Sequence, residues 1–314
     1  MVRIFYKQGR YIQKEMDLRE LSRLENILWI DLQGATREDE EWIETKYNVS
    51  FQTPQEIVEI ESSARYFEQN STINANSNFL QPDHNGYHLY PVSFMLRNNI
   101  LFTYRTGDSK TFADTVRKMK VNAEMFSTGD DVFLTLLETR IESDADLLEG
   151  ISREITVMSK KLNLEKKPNE SYVLKISELL EYAMMVREST IDKQRVMSAV
   201  LRSALFSDYH KERLRIILKD ISSLLEYATF NFERLEYLQD TITGLINLEQ
   251  NQIIKIFTVF TIVFLPPTLI AGIFGMNYQI LPTSGKEWGF YFALLLMILS
   301  SAFILYFFRR KRWI

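Results

Sequence analysis

The chain has 314 residues, 46% hydrophobic and 25% charged, with a formal net charge of −4. These averages describe a water-soluble globule. The distribution does not: residues 256–308 carry two charged side chains, Lys286 and Glu287, while the first 255 residues hold 72 of the 78 charges (37 basic, 41 acidic). That pattern speaks against a wholly soluble enzyme and predicts a polar body followed by a membrane-embedded end.

Residues 1–255 contain 32 Lys+Arg and 40 Asp+Glu, a net charge of −8. Nucleic acid is bound by neutralising phosphates with basic groups, so this surface does not suit it; it suits solubility or the collection of cations. The absence of cysteine removes disulfides, thiolate metal sites and cysteine nucleophiles, and it fits a cytosolic location. His84 and His88 flank Asn85-Gly86-Tyr87, turn chemistry rather than a helical pair. A metal handled here is therefore expected to be a hard cation with oxygen partners rather than zinc or copper.

Val2 to about Lys120 reads as an α/β domain. The N-terminus, Met1 to Arg10, alternates polar and apolar residues and lacks the long apolar core of a signal peptide, so it reads as a first strand. Ile27–Leu32, Tyr87–Leu96 and Asn99–Arg105 are predicted strands, the last two joined by a hairpin at Arg97-Asn98-Asn99. Thr36-Arg-Glu-Asp39 and Thr53-Pro-Gln-Glu56 carry the spacing of capped helix starts. The Asn-rich stretch Asn70–Asn85 reads as loop. No glycine-rich phosphate loop and no nucleophile–base pair stand out, so an enzyme is not expected.

From Asp130 the pattern is helical: Asp131 to about Leu162, then Pro168 to Phe206, then a third helix beginning near Asp208. In the third, apolar residues repeat every seven positions at Leu214, Ile221, Ala228, Leu235 and Ile242, with Ile217, Leu224, Leu238 and Leu245 between them. Sustained heptads argue for helix–helix packing. No proline interrupts Tyr209–Leu265, so this stalk can run straight into the first apolar segment.

Two uncharged runs, Ile256–Gly285 and Trp288–Phe308, have 30 and 21 residues. A helix needs about 20 to cross the hydrocarbon core. The tail Arg309-Arg-Lys-Arg312 marks the cytoplasmic side of the second run. Both termini should then face the cytoplasm, with Asn277–Glu287 outside. The organisation expected is 1–125 α/β domain, 126–250 helical domain and stalk, 251–276 first span, 277–287 outer loop, 288–308 second span, and 309–314 basic tail.

The first span carries a stripe of polar or small residues: Asn251, Thr258, Thr261, Thr268, Gly272 and Gly275, with Ile254 and Leu265 filling the gaps on the same face. Small residues at this spacing serve close packing between membrane helices. A pore lined by several copies of the helix explains the same stripe, with apolar rings able to gate by dewetting. Pro266-Pro267 removes backbone donors within the span; the freed carbonyls need Thr261, Thr268 or a neighbouring helix.

The span closes with Pro266-Pro-Thr-Leu-Ile-Ala-Gly-Ile-Phe-Gly-Met-Asn277. Gly275-Met276-Asn277 at the outer end of the first of two C-terminal spans, with that run and the basic tail, resembles the CorA magnesium transport family. The likeness is detailed over about the last 65 residues, and its α/β-then-long-helices layout covers the chain. Departures are Phe274 for the usual tyrosine, Tyr278 for phenylalanine, the additional Pro267, and an outer loop without the common Met-Pro-Glu-Leu string, in which Glu287 is the only acid.

The resemblance implies a homopentameric channel of the cell (inner) membrane whose cytoplasmic bodies form a funnel. It passes Mg²⁺, and also Co²⁺ or Ni²⁺, and hydrated Mg²⁺ is received by the Gly275-Met276-Asn277 ring. Asn251, Ile254, Thr258, Thr261, Leu265, Thr268 and Gly272 then line the pore. The family also implies a valve shut by cytosolic Mg²⁺ bridging neighbouring subunits. Counting back from Asn277 brings one expected carboxylate near Ile216–Asp220, where Asp220 is the only acid, with Asp83 as its partner and Glu59 and Glu61 behind it. Neutral amides suit an ion that sheds water reluctantly, because they hydrogen-bond its hydration shell without stripping it. The alternatives are a zinc transporter of the same superfamily, which the lack of Cys and of paired membrane His disfavours, and a membrane-anchored coiled-coil scaffold, which leaves the stripe unexplained.

Overall fold

The structure, a computed structural model, describes residues 1–52, 65–83, 86–165, 170–276 and 288–311. The expected helix start at Thr53, together with Glu59, Glu61, His84 and Asn277 and the loop after it, lies outside them. Residues 1–165 and 169–239 make one compact unit; the chain from Asp240 onward makes the body of a second.

In the first unit, β1 (Val2–Gln8), β2 (Tyr11–Glu15), β3 (Ile27–Gln33), β4 (Tyr66–Gln69), β5 (Thr72–Asp83), β6 (Gly86–Arg97) and β7 (Ile100–Arg105) form a mixed sheet in the order β2-β1-β3-β7-β6-β5-β4. Only the β3–β7 pairing is parallel; the other described pairs are antiparallel. Local chemistry sets the boundaries. Helix α1 (Arg37–Tyr47) opens with the reciprocal Thr36–Asp39 capping box and closes at Asn48 in the left-handed region. The β6–β7 turn places Asn98 and Asn99 at φ 51° and 62°, the positive φ pair that a two-residue hairpin needs.

The core stacks Trp29 on Phe5 at 4.8 Å. Below it the Trp29 indole donates to Thr103 Oγ1 (2.9 Å), whose hydroxyl donates to the buried Asp31 (2.8 Å). Arg3 and Arg105 also close on Asp31. Two arginines and a hydroxyl satisfy this carboxylate where water cannot reach it.

The Asn70–Asn85 loop expectation is wrong. Most of that stretch is β5, paired with β6 from Ile73↔Leu96 to Asp83↔Gly86. Asparagine suits the turn before it, where Asn70 and Ser71 have positive φ. Further along, tertiary partners satisfy the polar side chains: Asn76 Nδ2 donates to Gln52 Oε1 (2.7 Å), and Asn76 Oδ1 accepts from Ser93 Oγ (2.5 Å). The Asn78 carbonyl accepts from Ser189 Oγ (2.8 Å) and Lys193 Nζ (3.3 Å). Those two residues lie on a helix far along the chain, so strand propensity could not announce the element.

Helix α2 (Lys110–Val121) is followed by α3 (Gly129–Glu165), α4 (Glu170–Leu201) and α5 (Asp208–Phe274). Gly129 lies so close to the β6–β7 hairpin that a Cβ there would collide with the Leu101 nitrogen, and its own N–H donates to Asn99 O (2.6 Å). A buried ionic knot joins α3 to α4: Arg140 and Lys193 both pair with Asp144. Burial pulls the Asp144 carboxyl up, but Lys193 and Arg140 hold it below its ordinary value. Burial in turn pushes the Lys193 ammonium below its own ordinary value. At the start of α5, His210 reaches Asp131 Oδ1 (3.2 Å) and Ser207 Oγ (2.9 Å).

The stalk heptad is buried as expected at Leu214, Ile217, Ile221, Leu224, Ala228, Leu235, Leu238 and Ile242, while Leu245 is half-exposed. Asn231 escapes a count of apolar residues, yet it occupies the same seam. It is fully buried and donates to the Leu148 carbonyl of α3 (3.3 Å).

In the second unit, α5 continues without a break through Pro266 and Pro267 to Phe274, and α6 spans Trp288–Arg310. The apolar windows of both have mean hydropathies of 2.1 and 2.2, with only 6% of each window buried. A core hairpin of a soluble protein would be mostly buried, so these helices have the length, composition and exposure of membrane spans. Trp288 and Tyr291 at one end of α6, and Arg309, Arg310 and Lys311 at the other, have the amphipathic and cationic character of interface anchors.

Candidate functional site

Two faces of the first span are distinguishable. The residues that lose exposure are Val259, Val263, the adjacent Pro266 and Pro267, Ile270 and Phe274, which recur at helical spacing on one side. Val263 is the most covered, and its carbonyl accepts from Ser301 Oγ of α6 at 3.4 Å. This is the side that meets the second span.

The predicted stripe occupies the opposite side. At about 100° per residue, Ile254 and Gly272 each stand about half a turn around the helix from Val263. Asn251, Ile254, Thr258, Thr261, Leu265, Thr268 and Gly272 are all exposed. For Ile254 and Leu265 the exposure reaches 61%, uncovered by anything in their own chain. An open hollow of 850 Å³ lies on this face, lined by Thr261, Leu265, Thr268, Gly272 and Met276 with neighbouring apolar side chains.

The stripe has a defined hydrogen-bonding character. Thr258 donates its hydroxyl to the Ile254 carbonyl (2.8 Å), Thr261 to Phe257 (2.9 Å) and Thr268 to Phe264 (2.8 Å). Each proton is thereby committed to the backbone one turn back, leaving the oxygen lone pairs facing outward. The face offers acceptors, which suit a cation or its water shell and do not suit an anion.

None of these bonds serves a carbonyl freed by proline. Pro266 and Pro267 withdraw donors from Ile262 and Val263, whereas Thr261 and Thr268 serve Phe257 and Phe264. Of the three remedies named from sequence, the neighbouring helix acts at Val263.

Helix α5 ends where the motif begins: the Gly275 N–H donates to Ala271 O (2.8 Å) and the Met276 N–H to Ile273 O (3.3 Å). Met276 is exposed.

The two proposed sensor acids occupy different surroundings in the first unit. Asp83 closes β5, near Tyr90 Oη (3.3 Å) and His88 Nε2 (3.8 Å). Asp220, on α5, lines an open pocket of 510 Å³ together with Glu138 and Glu142 of α3. Arg213 takes Glu138 in a two-pronged pair (2.6 and 2.7 Å), and Lys118 takes Glu142 (2.6 Å). No cation pairs with Asp220 among the described residues. Glu138 and Glu142 were not singled out from sequence; their spacing of four on one helix was the available signal, but nothing local connects it to Asp220, some 80 positions on. Among the described residues no three acidic or histidine side chains of one chain converge to hold a metal.

Residues 25–310 match the family model described as CorA-like Mg²⁺ transporter protein. The chain is 37% identical over 330 residues to the magnesium transport protein CorA of Campylobacter jejuni (strain RM1221), covering all of both chains. It is 34% identical over 321 residues to that of Wolinella succinogenes, again covering all of both. Among solved structures, the complete CorA magnesium transporter of Methanocaldococcus jannaschii superposes with a TM-score of 0.82 at 21% identity, over 100% of this chain and 99% of that one. The last likeness shows the fold: an α/β domain, long helices and two C-terminal spans.

Proposed function

Because this chain belongs to the CorA-like Mg²⁺ transporter family, we propose that it carries Mg²⁺ across a lipid membrane through a passage lined by copies of its first span. It is a membrane transporter of divalent cations rather than an enzyme. The observation that carries the pore reading is the exposed stripe from Asn251 to Gly272, turned away from the second span, with every threonine proton committed to the backbone. Several such helices, five by likeness to the family, would close into a ring whose inner wall presents oxygen lone pairs between the apolar collars of Ile254 and Leu265.

This wall suits a hydrated ion. Mg²⁺ holds its octahedral water shell tightly, and threonine acceptors bond that shell without competing for the metal. Gly275, Met276 and Asn277 form the outer mouth in this reading, and the amide of Asn277 recognises bound water. No nucleotide is required: two charges crossing 100 mV gain about 4.6 kcal/mol, at roughly 2.3 each. Co²⁺ and Ni²⁺, with similar hydrated shells, are expected to follow the same route. The basic tail supports a reading in which both termini face the cytoplasm, and likeness to the family supports the cell (inner) membrane as the location.

The test is ion uptake into proteoliposomes under an inside-negative potential. Mg²⁺ should enter, and cobalt(III) hexaammine, a fixed imitation of a hydrated ion, should block entry from the outer side. Uptake of Zn²⁺ in preference to Mg²⁺, or no uptake of any divalent ion, would refute the assignment.

Closure by cytosolic Mg²⁺ completes the proposal. Asp220 is the one acid of its pocket with no cation to pair with among the described residues, so it is free to accept a metal that Asp83 of a neighbouring subunit shares. Asp220→Ala is expected to raise the internal Mg²⁺ needed for half-inhibition about tenfold, within the range of ordinary allosteric couplings. An unchanged inhibition curve would remove Asp220 from the sensor.

A further inference from the structure

Pro266 and Pro267 sit in the middle of the first span, yet the helix neither ends nor loses its register. Proline at 267 has no N–H to give the Val263 carbonyl, and a carbonyl without a donor is costly in hydrocarbon. The donor comes from the other span: Ser301 Oγ lies 3.4 Å from Val263 O.

Other hydroxyls in the spans behave differently. Ser300, next to Ser301, gives its proton to Met297 of its own helix (2.8 Å), and Thr258, Thr261 and Thr268 likewise bond within theirs. That is the usual fate of a hydroxyl in a membrane helix. Ser301 is half-buried and reaches across to the most covered residue on the contact face of α5.

We propose that Ser301 is a positioning residue for transport: its hydroxyl replaces the backbone donor that Pro267 lacks and fixes the rotation of the first span at the proline pair. Leu265 and Thr268 flank that pair, so a rotation there would turn an apolar collar and an acceptor ring off the axis together. The inference rests on the pore reading of the first span given above.

The replaced donor makes the test specific. Pro267→Ala returns an N–H to position 267 and should make the serine redundant. Mg²⁺ uptake is measured for the wild type, Ser301→Ala, Ser301→Thr, Pro267→Ala and the double variant Pro267→Ala/Ser301→Ala. Ser301→Ala should lower uptake about threefold, the scale of an interhelical hydrogen bond in a membrane, and Ser301→Thr should retain it. On the Pro267→Ala background, Ser301→Ala should change nothing further. The thermal midpoint of the detergent-purified assembly, read on the same variants, should show the same non-additivity and supplies the answer if Pro267→Ala conducts too slowly. Equal losses on both backgrounds, or no loss on either, would overturn the proposal. Wild-type uptake that hexaammine blocks, without the coupling, sinks this inference alone; wild-type vesicles without blockable uptake sink the pore reading beneath it.

Discussion

Replacing Asn277 with alanine is expected to reduce Mg²⁺ uptake at least about seventyfold, while the purified protein elutes at the same volume as the wild type. The size of the effect follows from symmetry. One amide hydrogen bond to a water of the ion's shell has a net value of about 0.5–1.5 kcal/mol. In the proposed ring of five, all of the amides would be lost at once, roughly 2.5–7.5 kcal/mol in total, and each 1.36 kcal/mol is about a factor of ten in rate. Asn277→Asp is instructive beside it. A ring of carboxylates would hold a divalent ion and slow its release, so it should not restore wild-type flux. Uptake by Asn277→Ala within about threefold of the wild type would show that the outer mouth does not depend on this amide.

How much of this was legible beforehand differs by element, for physical reasons. Signals confined to a few neighbouring residues were readable. The capping box at Thr36, the Asn98-Asn99 hairpin and the heptads of the stalk all lie where the sequence places them, because the atoms that satisfy each are local or periodic. The two spans announced themselves through the gap in charge.

What failed depended on partners distant in the chain. The strand β5 is rich in asparagine, and its polar atoms are satisfied by Gln52, Ser93, Ser189 and Lys193. The seam residue Asn231 needs the Leu148 carbonyl, 83 positions away. Ser301 gains its meaning only when the register of α6 against α5 is fixed, since no pattern within α6 separates it from Ser300. The pocket around Asp220 is assembled from two helices in the same way.

For the site, period and composition sufficed to find the stripe but not to choose between its two uses. The contact with the second span falls on Val263 and its neighbours, half a turn from the stripe, so packing of the stripe itself would require further copies of the chain. Membership in the family is what favours a pore over a packing surface for this exposed face.

The central claim is that this face meets water on a shared axis. The chain contains no cysteine, so single cysteines can be introduced without removing any. Thr261→Cys, Leu265→Cys, Thr268→Cys and Gly272→Cys are to be compared with Val263→Cys and Ile270→Cys on the contact face; a Cβ at 272 meets nothing within 4 Å in its own chain. A charged, membrane-impermeant thiosulfonate should react with the four stripe positions at least about tenfold faster than with the other two, and its attachment should abolish Mg²⁺ uptake. Unreactive stripe positions, or full uptake after their modification, would contradict a water-filled passage along this edge of the helix.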